Sequence, residues 1–538
     1  MSVESARKKA LPNLSANQHL TAAERLVAEM ILEPAGQVST SIYETGRLVS
    51  LSPWLTGHAE RVRYLLSSQR ADGGWGPPEG YSLVPTLSAI DALLAVLPAS
   101  PASEELIRAI DSGLTALTSW HRAGWPVPDT PAVDLIVPAL TASVSDRLAG
   151  PDVAPLLTRW RADRLPLPFG MDGQRLAAVR ALLAAGRPVP EKLLHALEVV
   201  ADLARDAVGV RRPPSGIVGA SPAATAAWLG RADSTPADHR SLNYLESVVA
   251  RHGGPVPCAV PITVFERAWV IGTLTRVGIP MPASADLVDP MTADLGQNGT
   301  PAGPGLPPDA DTTSVVLYAL ARLGLPADPE CLWRFETEDG FCTWPGEDGF
   351  SVTTNAHVLD ALGQHIARRP DAAPRYRAAA QRLVTALQAR QLADGSWQDR
   401  WHASPYYATM CCSLALAEVA PAVAAESLTR AARWVAATQR PDGSWGRWNG
   451  TVEETAYAMQ VLAIAGRHLP ITGSALTRAQ AFLVEEVSGQ LDRPPLWHDK
   501  DLYYPAMIVR AAVLAAQHLA TRREPLTHVA GDLSTCPA

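Results

Sequence analysis

One turn, written three times, constrains this chain more than any other feature. Residues 69–76 read QRADGGWG, 391–398 read QLADGSWQ and 439–446 read QRPDGSWG. A degenerate copy, DGFCTW, occupies 339–344. Each copy follows one Ala- and Leu-rich segment with helical spacing and precedes another. Glycine permits the tight backbone, aspartate caps the turn, and tryptophan can fold back over the helices with glutamine as partner for its ring or for a helix end. Trp397 lies 48 residues before Trp445 and 53 after Trp344, spacings that suit stacked helical hairpins. The turns are therefore read as structural. Helical segments such as 105–118 (ELIRAIDSGLTALT), 173–185 (GQRLAAVRALLAA) and 376–389 (YRAAAQRLVTALQA) run from end to end. Breaks such as RRPPSGIVGASP and NGTPAGPGLPPD separate them, and strand-like alternation is scarce. An all-α protein is expected.

The 538 residues, 47% apolar and 19% charged, suffice for two or three domains. The net charge of −8 comes without a basic stripe, which argues against a nucleic-acid partner. The start, MSVESARKKALPN, has no apolar signal core, and no uninterrupted apolar run reaches about 18 residues, so no transmembrane segment is expected. Cys258, Cys331, Cys342, Cys411, Cys412 and Cys536 form no CxxC pair and have no zinc spacing. Reduced thiols in a cytoplasmic protein are expected. Tryptophan, at 15, outnumbers both Phe and Tyr. Such a surplus either packs in a special way or lines an apolar or cationic site.

The chemistry centres on Asp309-Ala310-Asp311-Thr312-Thr313, between the loop PAGPGLPP and the helical segment SVVLYALARLGL. Alone, this reads as a helix N-cap with an acidic loop. The repeated turns change the balance, because they resemble the QW motifs of squalene–hopene cyclases and the related class II diterpene cyclases. Other stretches resemble bacterial copalyl diphosphate synthases: SPAATAAWL (221–229), VFERAWVIGTLTRVGI (264–279), SVTTNAHVLDAL (351–362), WHASPYY (401–407) and LWHDKDLYYP (496–505). The resemblance implies two α/α-barrels facing each other across a cavity. Residues 1–35 and 262–538 would form the β domain, and 36–261 the inserted γ domain.

The resemblance also implies a role for the acidic run, which matches the D-x-D-D motif of class II cyclases. Asp311 would protonate a carbon–carbon double bond, and Asp309 would tune it. Such an acid must stay neutral at rest, which burial favours, while a helix N-terminus and nearby hydroxyls stabilise the carboxylate left behind. Thr312 departs from the motif's last Asp. The D-x-D-T-T form resembles that of drimenyl diphosphate synthases and moves the expected substrate from geranylgeranyl to farnesyl diphosphate. Asn355 matches the family position that holds the acid, although an Asn there can also cap a helix. His357 is read as structural.

Trp401, Tyr406 and Tyr407 are expected as cavity walls. Lys500, Arg267 and Arg510 are candidate cations for the diphosphate. Asp129 and Asp134, in PDTPAVDLIVP, are what remains of an EDxxD-like patch for Mg²⁺. No DDxxD or NSE/DTE-like triad occurs, so the diphosphate should stay on the product, drimenyl diphosphate, with a downstream phosphatase as a conceivable partner. The alternatives are a labdane-type diterpene cyclase making a copalyl diphosphate, a triterpene cyclase, a prenyltransferase-like barrel and a non-catalytic α/α-barrel that binds prenyl chains or a partner protein.

Overall fold

The computed structural model describes residues 16–521 apart from 102, 161–163, 206, 211–213, 231–235, 370, 372, 467–468 and 488–493. The first fifteen residues and Cys536 lie outside the described residues. In all three full turns the same bonds recur. The Gln69, Gln391 and Gln439 amides each donate to the carbonyl of the turn glycine and to a carbonyl of a later outer helix: Ala109, Ser427 and Ala475. The indole N–H groups of Trp75, Trp397 and Trp445 each donate to a carbonyl of the preceding helix, at 2.6–2.8 Å. All three rings are fully buried. The turn glycines have φ of +88°, +99° and +92°, where only glycine sits without strain.

These turns link helices into two closed rings. In the second barrel, the inner helices are Thr263–Arg276, Ala310–Arg322, Val352–Arg368, Pro405–Val419, Val452–Ile464 and Ala506–Thr521. Each packs on the next, and the last returns to the first. Ala16–Leu32, from the start of the chain, packs outside against Ala506–Thr521. In the first barrel the ring is Ile42–Leu51, Leu83–Val96, Val133–Ala149, the 3₁₀ segment Glu191–Val200 and Pro222–Leu229. Inner helices such as Leu83–Val96 are buried nearly all round, as their uniform apolarity requires. The segment Glu79–Ala99 is long and apolar enough to span a membrane, although the sequence led us to expect no such segment. Most of its apolar stretch is buried inside the first barrel.

Four inner helices of the second barrel start at side-chain caps. Asp309, Ser351, Ser404 and Thr451 accept from backbone N–H groups of Thr312, Thr354, Tyr406 and Glu454. This end of the barrel faces the first barrel. A short hairpin, Trp497–His498 paired with Leu502–Tyr503, joins the two. The Lys500 ammonium at its tip is fully buried among Glu44, Glu198 (3.0 Å), Ser221 Oγ (2.9 Å) and the His195 carbonyl (2.8 Å). Asp501 accepts from Ser41 Oγ at 2.7 Å and from Tyr43 N at 3.0 Å. Lys500 is thus a clasp between the barrels. It is not the diphosphate cation expected from the sequence, because its charge is spent on two carboxylates in a closed site.

Candidate active site

Between the barrels lies a cavity of about 700 Å³. Asp311, in the first turn of the Ala310–Arg322 helix, lines it, and its side chain is 16% exposed. Its Oδ1 is 2.7 Å from His357 Nδ1. Its other oxygen makes no hydrogen bond among the described residues. Burial opposes a charge on His357, but the Asp311 carboxylate and the bond to it win, holding the imidazole well above its usual value. A charged imidazole donates from both nitrogens, so His357 donates Nδ1–H to Asp311.

Asp309 sits behind, with its carboxyl accepting from Thr312 N at 2.6 Å. Burial pushes Asp309 up to about 8 against the Thr312 bond, and the nearby Asp311 charge adds to the rise. It is a neutral neighbour at pH 7. Thr312 is buried and supplies both its backbone N–H and its hydroxyl to Asp309. The departure from D-x-D-D therefore replaces a third carboxylate by a donor.

Asn355 makes no hydrogen bond to Asp311 among the described residues. Its Oδ1 accepts from Phe341 N at 2.8 Å, and its Nδ2 donates to the carbonyls of Phe341 and Ser351. Asn355 secures the 335–343 loop, while His357 takes the contact with Asp311. Two residues along a helix turn a side chain by about 200°, so both cannot point inward. The sequence signal for His357 was present, but the family match drew attention to its neighbour.

Trp401 and Tyr407 line the cavity, together with Phe265, Trp344, Trp497 and Tyr503. Tyr407 accepts from Trp269 Nε1 at 3.0 Å. It stacks on His402, with ring centroids 4.6 Å apart. Burial holds His402 down to about 3 and pushes Glu453 behind it up to about 8. The wall thus offers π faces without ionised side chains at its back. Tyr406 is not part of it: it turns away and packs on Trp434 at 4.7 Å. Trp344, of the degenerate turn, was read as structural. It lacks the glutamine anchor, so its ring swings to the cavity, edge-on to Trp401.

Arg267 donates to the Asp286 carbonyl and lies outside the cavity. Arg510 pairs with Glu29 of the N-terminal helix at 2.6 Å. Neither serves the site. The cations at the cavity mouth are Arg175, Lys192 and Arg400, which the sequence reading missed. Asp129 and Asp134 are there too, each already paired: Asp129 with Arg400 and Asp134 with Arg175, both at 2.6 Å. Arg400 also reaches Glu347, and Arg175 reaches Asp348, so the mouth alternates in charge across both barrels. Lys192 makes no ion pair among the described residues. No group of three or more His, Cys, Asp or Glu side chains placed to hold a metal occurs among the described residues.

Comparison with known proteins agrees with this architecture. Residues 347–476 match the squalene-hopene cyclase C-terminal domain. The chain is 44% identical to the ent-copalyl diphosphate synthase of Streptomyces sp. (strain KO-3988), over 93% of this chain and 96% of that protein. It is 41% identical to the labda-7,13-dienyl diphosphate synthase of Streptomyces clavuligerus, over 96% and 95%. The solved structure of ent-copalyl diphosphate synthase from Streptomyces platensis superposes with a TM-score of 0.87 at 43% identity, covering 94% of this chain and all of that one. With the repeated turns, the two helical rings and an aspartate facing an aromatic cavity, these matches place the chain in the class II terpene cyclase family, as an enzyme of that class.

Proposed function

We propose that this enzyme cyclises geranylgeranyl diphosphate to a labdane-type, copalyl-like diphosphate, with Asp311 as the acid and the diphosphate retained. The observation that carries the mechanism is the Asp311–His357 pair, with one carboxyl oxygen bound and the other turned to an aromatic cavity. The chain length rests on the relatives, whose names are those of copalyl and labdadienyl diphosphate synthases. A farnesyl substrate giving drimenyl diphosphate is the second reading, and Thr312 favours it.

The prenyl chain folds in the cavity with its terminal alkene against Asp311. Hydrocarbon there excludes water from the proton transfer. The carboxyl proton adds to the alkene. The carboxylate left behind keeps the hydrogen bond from charged His357 and lies at a helix N-terminus, so the transfer is less uphill. Trp401, Tyr407 and Trp497 face the migrating positive charge. Ring closures follow, and proton loss ends the cascade. At the mouth, Lys192, Arg175 and Arg400 receive the diphosphate. Mg²⁺, when bound through phosphate oxygens and Asp129 or Asp134, would neutralise diphosphate charge. Those carboxylates fit such a role in number and hardness once their arginines turn to phosphate.

The test is incubation with each prenyl diphosphate, phosphatase treatment and mass spectrometry of the alcohols. Turnover of farnesyl diphosphate alone would replace the first reading by the second. Lys192→Ala should raise KM several-fold with little change in kcat; an unchanged KM removes Lys192 from the diphosphate site.

A further inference from the structure

The first barrel carries a second pocket, which shares no lining residue with the substrate cavity. It measures about 460 Å³, inside the usual range of about 300–1,000 Å³ for small-molecule sites. The inner helices Leu83–Val96 and Val133–Ala149 supply Leu83, Leu87 and Thr141. The outer helix Glu104–Ala123 supplies Leu117, Thr118 and Trp120, and the 165–169 loop, LPLPF, forms the lip. Trp125 stacks on Trp120, with ring centroids 5.9 Å apart. Phe169 is fully exposed, and Trp125 is 41% exposed. Large apolar side chains left in water around an apolar hollow mark a place that something covers.

The polar groups of the pocket say what kind of molecule fits. Thr141 is only 6% exposed, and its hydroxyl makes no hydrogen bond among the described residues. A threonine inside a helix ordinarily turns its hydroxyl back to a carbonyl one turn earlier. Thr118 does so to Leu114 at 2.8 Å, and Ser145 to Thr141 at 2.8 Å. Thr141 does not, so its hydroxyl is left to the pocket and to a partner from outside the chain. No lysine or arginine lines the pocket among the described residues. Arg70, over the Trp120 ring, is paired with Asp72, and the pocket's carboxylate, Glu79, is paired with Arg447 at 2.7 Å. His121 and Gly124 place the C-terminal, negative end of the Glu104–Ala123 helix against it. An anion is therefore opposed here, whereas the substrate mouth holds Lys192, Arg175 and Arg400. Thr141 stands on an inner helix, so its partner must enter the barrel, which a flat lipid surface does not do.

We propose that this first-barrel pocket binds a neutral prenyl or terpenoid alcohol of substrate length, its hydroxyl inward on Thr141 and its hydrocarbon under Trp125 and Phe169. The hydroxyl gives the buried Thr141 its missing partner, and the chain covers the two exposed rings. The terpenoid character rests on the function proposed above, in which the enzyme makes a diphosphate ester whose hydrolysis yields such an alcohol. The preference for an uncharged, largely apolar chain rests on the pocket itself.

Calorimetric titration of geranylgeraniol, and separately of farnesol, into Asp311→Asn protein saturated with prenyl diphosphate keeps the substrate cavity filled and reads this pocket alone. Saturable binding of one molecule per chain is expected for at least one of the two. Thr141→Val removes the hydroxyl at nearly constant shape and should weaken binding roughly fivefold. Thr118→Trp fills the pocket and should abolish binding. Thermal melts show which variants fold, and Thr141→Val decides alone if Thr118→Trp does not. No saturable binding, or an affinity unchanged in either folded variant, overturns the site. Adherence to phosphatidylcholine vesicles through Phe169, with neither alcohol bound, also overturns it and makes the lip a membrane contact. The active-site reading fails separately: mass spectrometry of the same sample would then show the diphosphate cyclised despite Asp311→Asn.

Discussion

Each barrel carries an aspartate on an inner helix, Asp91 buried and Asp311 at the edge of a cavity, and the two are treated in opposite ways. In the first barrel, Asp91 accepts from Arg47 at 2.6 Å, Arg147 at 2.8 Å, Ser50 at 2.8 Å and Ser143 at 2.6 Å. Burial would raise it, but the two arginines win and hold it at about 2. In the second barrel, Asp311 has one histidine and an open oxygen over a cavity. The same fold thus makes one aspartate a structural rivet and leaves the other open enough for the acid role proposed for it. A carboxylate with four donors has nothing to give; one with a single cationic neighbour can hold a proton and release it.

The comparison breaks if the two aspartates respond alike to amide substitution. Asp311→Asn should lower turnover about a thousandfold and leave the melting temperature nearly unchanged. Asp91→Asn should do the reverse, costing about 3–5 kcal/mol of stability by leaving the buried Arg47 and the half-buried Arg147 under-compensated. Turnover per folded molecule should stay normal. Steady-state kinetics and thermal melts of both variants decide it. An Asp91→Asn variant as stable as wild type would show that the arginines, not the pairing, hold the first ring.

The next effect concerns the repeated turns. Trp445→Ala should cost about 3–5 kcal/mol, because a fully buried indole and its bond to the Val435 carbonyl are lost together. Denaturant unfolding measures this. A loss below 1 kcal/mol would mean the ring collapses around the gap and the turn is not a fastener.

How much of this was legible follows from range. The three full turns were readable because glycine, aspartate, glutamine and tryptophan all act within a few residues of one another. Asp311 was readable because its position is fixed by a short motif. The cations at the cavity were not: Lys192 and Arg400 come to one cavity only after two barrels close over each other. Lys500 misled for the same reason, since a lysine in a family-like segment gives no hint of Glu44 and Glu198 far away in the chain. Asn355 and His357 show a finer limit. The motif identified the right helix turn, and only the folded helix shows which of its faces meets Asp311.

A smaller effect separates the two aspartates by pH. Asp91 is held below its ordinary value, so its contribution is present above about 4 and is lost as pH falls toward about 2. Asp309, next to the acid, is raised to about 8, so its contribution is present below about 4 and is lost as pH rises to about 8. Asp309→Asn keeps an equally good helix cap. Its melting temperature should therefore fall less than wild type's between pH 4 and pH 8. Melts across that range that parallel wild type would mean Asp309 is ionised throughout. Turnover should also lose any decline near pH 8 that comes from a second negative charge beside Asp311.

The smallest effect sets the degenerate turn against its full copies. Trp344 Nε1 is buried and has no hydrogen-bond partner among the described residues, whereas Trp445 Nε1 is satisfied. An unpaired buried donor costs about 1–3 kcal/mol, and removing it recovers part of that. Trp344→Phe should therefore leave stability unchanged or slightly raise it, although the same replacement at Trp445 destabilises. If Trp344 faces the cation as a cavity wall, turnover should fall modestly, since phenylalanine presents a weaker π face. Lower stability with unchanged turnover would return Trp344 to the role of its three counterparts, and would mean that losing the glutamine anchor did not free the ring for the site.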